Sequence, residues 1–378
     1  MTGERERIGR DDVNDLDAIV ELALDRSHID DTIHQVTDNA DAVFSWDYEK
    51  GARPGLHKLY EKAKTSQWNG ETDLDWSTGV DQEAITAQVV GTEPNWALLG
   101  VDVAGTPLER WGRTEWLEFN MEQQNWMLSQ FMHGEQGALL CTAKIVETVP
   151  WIDAKYYAAT QVMDEARHVE VFARYLDTKL SGHYPLNVHL GLLLDDILAD
   201  SRWDMTYLGM QVMVEGLALA AFGYLQALTP EPLLKQLLRY VMSDEARHVA
   251  FGVLSLREYY AELSDAELRE RQEFAFEAAL RMRDRLLAAE VWERMGADPR
   301  QVIRRFRGDR LEDPFQRMLF SKIVPNCKKL GLLDSSGGWL RDRFTEIGVI
   351  GFEDWADTAS EYESLDEVAR DRAGRPGA

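Results

Sequence analysis

Asp164-Glu165-Ala166-Arg167-His168-Val169, DEARHV in one-letter form, recurs letter for letter from Asp244 to Val249. Each copy contains Glu-x-x-His, as Glu165 with His168 and Glu245 with His248. Residues three apart on an α-helix lie one above the other on the same face, so each pair is placed to hold one metal ion. A further glutamate stands 30 residues upstream of each pair, Glu135 before Glu165 and Glu215 before Glu245. The pattern reads as a duplicated half-site with six candidate ligands. Without metal, four acids and two histidines in a core would be a costly collection of unpaired charge.

A glutamate from each of two helices and a Glu-x-x-His from each of two others is a ligand set of dinuclear carboxylate proteins built in four-helix bundles. On these motifs the chain resembles the ferritin-like di-metal carboxylate superfamily over roughly residues 114–260. The DExRH form of both copies is most similar to the hydroxylase subunits of bacterial multicomponent monooxygenases. The small subunit of class I ribonucleotide reductase is a more distant relative.

The resemblance implies an all-α fold, a ferritin-like four-helix bundle with a dinuclear metal site, elaborated by extra helices and long N- and C-terminal extensions. It implies metal-binding and catalytic roles for Glu135, Glu165, His168, Glu215, Glu245 and His248. Glu165 and Glu245 would bridge, with Glu135 and His168 completing one position and Glu215 and His248 the other. It further implies two iron ions, or a manganese–iron pair, with dioxygen as co-substrate. One imidazole and a few oxygens per metal leave open positions for it. A metal-bound imidazole needs its second nitrogen hydrogen-bonded, and Asp164 and Asp244 are the candidates, with Arg167 and Arg247 to pair with them.

The chain divides by pattern into residues 1–113, an N-terminal helix and a Trp/Gly-rich wrap; 114–262, the dinuclear bundle; 263–310, an additional helix and an arginine-rich segment; and 311–378, a helical tail with an acidic stretch at 353–371. A first helix is expected over Asp11 to Ser27. The bundle helices are expected from Thr114, as N-cap, to Val149; from about Asp153 to Ser181; from about Ser201 to Leu228; and, capped by Thr229-Pro230, through the second DEARHV. An apolar segment, NVHLGLLLDDILAD, reads as the crossover between the two helix pairs. Ser264-x-x-Glu267 is a capping box opening a fifth helix that runs to about Met295. The five tryptophans between Phe44 and Gly112 read as anchors of long loops, and no chemistry is assigned to them.

The 378-residue chain is 45% hydrophobic and carries a formal charge of −25, so it is globular and would be repelled by nucleic acid or an anionic membrane surface. The opening MTGERERIGRDD has no apolar stretch, and the run from Gly216 to Leu228 is too short to cross a bilayer. Two isolated cysteines, Cys141 and Cys327, make no disulfide framework, and a cytoplasmic location is expected. Against the acidic background, nine arginines fall between Arg281 and Arg310. They read as a solvated face with internal ion pairs or, functionally, as a dock for an acidic electron carrier or an anionic substrate group.

Residues one turn from the ligands, namely Phe131, Met132, Leu139, Val162, Phe172, Val212, Leu219 and Val241, predict apolar surroundings, with Gln136, Gln161 and Gln211 as polar exceptions and Cys141 and Thr142 nearby. The leading functional reading is an O2-activating non-haem di-iron oxygenase of monooxygenase type, acting on a small, largely apolar or aromatic substrate. Desaturation, N-oxygenation, ferroxidase or other iron handling, and a non-enzymatic dinuclear scaffold are the alternatives. A radical-generating reductase subunit is disfavoured by Phe172 at that family's tyrosine position, although Tyr175 and Tyr240 lie near in sequence; Val241 stands where arylamine N-oxygenases carry an additional histidine. The resemblance implies an electron donor, ferredoxin or reductase, and a homodimer; neither nucleic acid nor membrane is expected as a partner.

Overall fold

The computed structural model describes residues 14–25, 40–42, 51–90, 102–307 and 318–365, and no strand occurs among them. Before the bundle come α1 (Leu16–Leu24), α2 (Pro54–Thr65) and α3 (Gln82–Val90). The bundle is built from α4 (Arg113–Thr148), α5 (Ile152–Lys179), a crossover helix α6 (Val188–Ala199), α7 (Trp203–Tyr207), α8 (Glu215–Leu228) and α9 (Pro232–Tyr260). There follow α10 (Asp265–Asp284), α11 (Ala289–Arg294), α12 (Pro299–Arg307), α13 (Ile323–Lys329), α14 (Trp339–Glu346) and α15 (Thr358–Glu361). The expected extensions of the first helix into residues 11–13 and 26–27, and the end of the acidic tail, lie outside the described residues.

Two helical hairpins make the bundle. The short connection at Val149 and Pro150 packs α4 against α5, and the turn at Thr229–Glu231 packs α8 against α9. The hairpins meet where α5 contacts α9, over a continuous apolar core that includes Ile145, Phe172, Met210, Leu217, Phe222, Leu238 and Val249. The crossover is held by Asn187, whose side chain accepts from the backbone N–H groups of His189 and Leu190 and caps α6. Outside the bundle, α2 lies across both α5 and α9, burying Leu56, Leu59 and Ala63. A second apolar cluster joins α1, the start of α4, α11 and α12 through Ile19, Phe119, Trp126, Val291 and Trp292.

Three helix ends differ from the sequence expectation. Gly112, not Thr114, precedes the first turn of α4, and its N–H donates to Glu115 Oε2 at 3.0 Å. Glu231, not Thr229, caps α9, accepting from the N–H groups of Leu233 and Leu234 at 2.7 and 2.6 Å, with Pro232 following at the position where a missing N–H costs nothing. The fifth helix starts at its Ser264–Glu267 box but stops at Asp284 rather than near Met295, because the chain reverses through Arg285–Leu287 and a left-handed Ala288 at φ 47°.

The third bundle helix also departs from regularity. It is continuous from Trp203 to Leu228, and residues Leu208–Val214 form a π-helical turn that ends at Glu215. The apolar run from Gly216 therefore belongs to a helix of 26 residues, long enough to cross a bilayer, but 78% of its apolar window is buried by the protein's own helices.

Candidate metal centre

All six candidate ligands converge in the middle of the bundle, and each is buried. Glu135 comes from α4, Glu165 and His168 from α5, Glu215 from the end of the π turn, and Glu245 and His248 from α9. Ligand atoms of Glu135, Glu165, His168 and Glu245 form one cluster within 4.8 Å, and those of Glu165, Glu215 and His248 form another.

Glu165 belongs to both clusters, and Glu245, a member of the first, also approaches His248 of the second. Glu165 sets Oε2 at 3.4 Å from His168 Nδ1 and Oε1 at 3.1 Å from His248 Nδ1. Glu245 sets Oε1 at 3.1 Å from His168 Nδ1 and Oε2 at 3.6 Å from His248 Nδ1. At the outer edges, Glu135 Oε2 lies 3.2 Å from His168 Nδ1 and Glu215 Oε2 lies 4.0 Å from His248 Nδ1. Donor atoms about 2.1 Å from a shared ion stand roughly 3.0–3.5 Å from one another, the spacing of four of these six pairs, with the two longer ones at His248.

The fit to metal is visible in what these atoms lack. Glu165 Oε2, Glu215 Oε2, both oxygens of Glu245 and Nδ1 of His248 are buried without a hydrogen-bond partner. Orphaned buried polar atoms are rare in proteins, and five of them facing one another mark a place for cations. Charge agrees: the four glutamates with Asp164 and Asp244 meet the guanidinium groups of Arg167 and Arg247, with Arg285 lining the adjoining cavity, and the net negative charge that is left suits bound cations. Carboxylate oxygen and imidazole suit iron or manganese, and no thiol is near.

The aspartates hold the far sides of the imidazoles, and they do so crosswise. His168 Nε2 meets Asp244 Oδ2 at 3.1 Å, while His248 Nε2 meets Asp164 Oδ2 at 3.4 Å. With Nε2–H donating outward, each Nδ1 turns its lone pair inward. Arg167 Nη2 donates to Asp164 and, at 2.9 Å, to Asp244; Arg247 donates to Asp244 and lies 3.9 Å from Asp164. Two aspartates and two arginines thus form one charge-balanced lattice behind the ligands.

The surrounding electrostatics follow. Burial and the negative charge of Glu245 push the Glu135 carboxyl well above the usual range, and burial with Glu165 and Glu245 does the same to Glu215. Burial works against charge on His168 and His248, but Glu135 and Asp244 around the first, and Glu165 with Asp164 around the second, hold both well above the ordinary histidine value. Burial raises Glu165 and Asp244 too, yet His248 and His168 beside the former, and Arg247, His168 and Arg167 beside the latter, leave both depressed. In effect the centre draws protons onto its histidines where cations belong.

Trp68 and Gln67 were not evident in the sequence, whereas Gln161 and Gln211 were expected beside the ligands. Trp68, from the Trp/Gly-rich wrap, donates its indole N–H to Asp244 Oδ2 at 2.7 Å, and Gln67 donates to Asp164 Oδ1 at 2.9 Å. The Arg167 guanidinium lies over the Trp68 ring at 4.7 Å. Gln161 donates at 2.9 Å to both Glu165 and Glu215, and Gln211, within the π turn, donates to Glu215 at 3.4 Å. Gln136, by contrast, is exposed and meets only His133 at 3.1 Å.

A cavity of about 20 Å³, the space of about one water, adjoins the ligands. It is lined by Glu135, Glu215 and Glu245, by Phe131, Ala138, Val214, Ala218 and Phe222, and by Gln130, Gly134 and Arg285. Of the apolar residues expected around the ligands, Phe131 reaches this cavity; Phe172 sits behind it, stacked at 5.7 Å on Phe222. Met132, Leu139 and Val162 are only half-buried, Cys141 and Thr142 are buried in helix packing, and Val212, Leu219 and Val241 belong to the core. Tyr175 is engaged with Glu231 at 2.8 Å, and Tyr240 packs at 5.2 Å against Trp68.

In its described part the arginine-rich segment is held by ion pairs, buried at Arg281 and Arg283 and solvent-exposed at Arg294, Arg300 and Arg304. Arg281 reaches Asp196 at 3.3 Å, Arg283 reaches Asp284 at 2.8 Å, Arg294 reaches Glu122 at 2.9 Å, and Arg304 reaches Asp17 at 2.5 Å. Arg300 pairs with Glu21, and Arg305 donates to the carbonyls of Asp102 and Ala104. Arg285 alone among these faces the cavity, and burial draws its guanidinium down to about 10. Arg310 and the side chain of Arg307 lie outside the described residues.

The chain matches no protein-family model and no curated protein. Among solved structures it is similar to an R2-like ligand-binding oxidase with aerobically reconstituted metal cofactor after photoconversion, at 18% identity over 75% of this chain and 99% of that one, with a TM-score of 0.49. It is likewise similar to an R2-like ligand-binding oxidase with aerobically reconstituted Mn/Fe cofactor, at 19% identity over 75% of this chain and 94% of that one, also at 0.49.

Proposed function

We propose that this protein is a dinuclear non-haem metal oxidase, and more narrowly an oxygenase that acts on a small, largely apolar substrate. The observation that carries the reading is the convergence of five orphaned donor atoms between two imidazoles whose far nitrogens are held by buried aspartates. A pair of iron ions, or iron with manganese, bound there would supply reductive activation of dioxygen and oxidation of an organic substrate.

The chain's own residues do the rest. Glu165 and Glu245 would bridge, Glu135 with His168 and Glu215 with His248 would complete the two positions, and Asp164 and Asp244 fix the imidazole tautomers. Gln161 and Gln211 restrain Glu215, the ligand carried by the irregular π turn, so that its carboxylate keeps one orientation. Phe131, Val214 and Phe222 give the adjoining cavity an apolar wall, which would limit the access of bulk solvent to a reactive centre. An external electron donor such as a ferredoxin or reductase would restore the reduced metals between turnovers.

The test is anaerobic titration of the metal-free chain with ferrous ion, followed by rapid mixing with dioxygen. Two irons per chain, oxidised with consumption of one dioxygen per pair, support the reading. Oxidation that continues well past two irons per chain favours iron handling, and failure to bind two ions overturns the dinuclear assignment.

A further inference from the structure

A line of aromatic rings runs from beside the metal ligands to the protein surface. Its inner member is Tyr157 on α5, two turns before Glu165, and between them Gln161 donates to Glu165 and Glu215. Tyr157 packs at 4.4 Å on Phe251, which follows His248 by one turn of α9, so two ligand-bearing helices hold the inner end. Phe251 in turn meets Tyr207 at 5.0 Å, and Tyr207 meets Trp203, one turn before it on α7, at 5.4 Å. Trp203 ends the line against Trp151 at 5.1 Å and Tyr259 at 4.8 Å. Tyr157, Phe251 and Tyr207 are fully buried, whereas Trp151, Trp203 and Tyr259 are half-buried. Trp203 and Tyr259 line an open pocket of about 230 Å³.

Packing alone does not account for the two buried tyrosines. The hydroxyl of Tyr157 has no hydrogen-bond partner among the described residues, and that of Tyr207 comes near Ser255 without completing a bond. A buried hydroxyl left in this state lowers stability, and phenylalanine would fill the same space without that penalty. What a phenol offers and a phenyl ring lacks is accessible one-electron oxidation. Indole shares that property. Electron tunnelling falls off exponentially with distance, so closely spaced tyrosine and tryptophan rings carry charge in short steps where one jump from the centre to the surface would be slow. Phe251, too hard to oxidise, couples the two phenols by contact alone.

Resting on the dinuclear oxidase reading above, we propose that Tyr157, Tyr207 and Trp203 form a one-electron route that drains the oxidised centre to the surface when no substrate is in place, with a small thiol reductant meeting it in the pocket at Trp203 and Tyr259. Two iron(II) ions, becoming iron(III), supply two of the four electrons that convert dioxygen to two waters. A substrate supplies the other two in productive turnover. In its absence, two passages along the route supply them, and two thiols, joined as one disulfide, replace them. Of the four protons consumed, two come from the thiols and two from solvent. Each phenol releases its proton on oxidation and regains one on reduction, so the tyrosines end unchanged.

In the experiment, the full chain is loaded anaerobically with iron(II), its iron content is measured, and it is mixed with dioxygen without substrate. Freeze-quench electron paramagnetic resonance follows organic radicals with and without mercaptoethanol, and ring-deuterated tyrosine identifies a tyrosine signal by its narrowing. The unmodified chain is compared with Tyr157→Phe, Tyr207→Phe and Trp203→Phe. The expected result is a transient tyrosine or tryptophan radical in the unmodified chain, with its decay accelerated by mercaptoethanol. Tyr207→Phe and Trp203→Phe should each slow the thiol-dependent decay by about 10-fold or more, and Tyr157→Phe should lose the radical while retaining two irons. Both tyrosine variants should melt no lower than the unmodified chain. After repeated exposure to dioxygen, peptide mass spectrometry should find added oxygen at Trp203 or Tyr259 in the unmodified chain and beside the ligands in Tyr157→Phe. No organic radical in the unmodified chain, a radical unchanged in Tyr157→Phe, or thiol-dependent decay within about threefold of the unmodified rate in both Tyr207→Phe and Trp203→Phe overturns the proposal. Failure of the unmodified chain to bind two irons, or to oxidise them with dioxygen, would instead sink the dinuclear reading, which the iron analysis reports separately.

Discussion

Asp244 of one DEARHV motif bonds His168 of the other, its Oδ2 standing 3.1 Å from Nε2, and Asp164 reciprocates toward His248 at 3.4 Å. Each half of the duplication therefore orients the ligand of its counterpart. Asp244→Asn keeps the volume of the side chain but removes the charge that holds the His168 tautomer. It is expected to weaken metal binding by about 10- to 100-fold at the position that includes His168. Competition with a chelator of known affinity measures this, and a loss confined to the His248 side would contradict the crossed arrangement.

Trp68 is the wrap's direct link to that aspartate, through its 2.7 Å indole bond. Trp68→Phe preserves most of the aromatic packing against Tyr240 and leaves Asp244 with one donor fewer. The expected loss is about 1–3 kcal/mol of unfolding free energy. Urea denaturation checks it, and in the Asp244→Asn background the effect of the same substitution should shrink.

Gly252 on α9 is where the fourth helix passes the π turn, and a Cβ there would stand 2.5 Å from Gln211 Cβ. Gly252→Ala should therefore displace Gln211 and, through it, Glu215. Destabilisation of about 1–3 kcal/mol is expected, accompanied by reduced occupancy of the metal position at Glu215 rather than at Glu135. Metal-specific spectroscopy of the mixed-metal protein distinguishes the two positions.

The metal-free centre should prefer acid. His168, His248, Glu135 and Glu215 all bind protons more readily folded than unfolded, so the native state holds more protons and stability falls as pH rises. Their contribution is complete below 4.5 for the glutamates and 6.5 for the histidines, and is lost as pH climbs from there toward the raised folded values. Glu165 and Asp244, being depressed, add stability that is lost only as pH falls below about 4. Scanning calorimetry of chelator-treated protein should thus show a melting temperature that declines from about pH 4.5 and more steeply above about pH 6.5. Bound metal replaces those protons and should flatten or reverse the slope; a rising melting temperature in the metal-free protein would contradict the assignment.

How much of this was legible beforehand depends on the range of the interaction. The ligand set was open to reading because Glu165 with His168, and Glu245 with His248, are spaced by the helix itself, and because the interval to Glu135 and Glu215 repeats. The box at Ser264 and Glu267 is equally local and was read correctly, whereas the end of its helix was not, since the reversal at Ala288 is imposed by packing against α1 and α12 rather than by any breaker residue. The nine arginines show the same limit: internal ion pairs were expected among them, but only the structure gave the individual partners, Asp196, Glu122, Asp17 and Glu21.

By itself the sequence determined the six candidate ligands, because the motif is repeated and the 3.6-residue period sets each Glu-x-x-His on one helix face, while the all-helical bundle was implied by the resemblance those motifs carry. The tertiary structure decided which aspartate serves which histidine, that Trp68 and Gln67 reach the centre, that Glu215 rides on a π turn, and that Arg285 lines the cavity beside the glutamates. These are contacts between residues separated by as many as 176 positions. Periodicity carries no record of such pairings; they arise only when helices pack and every buried polar group must find its partner or be left for a ligand.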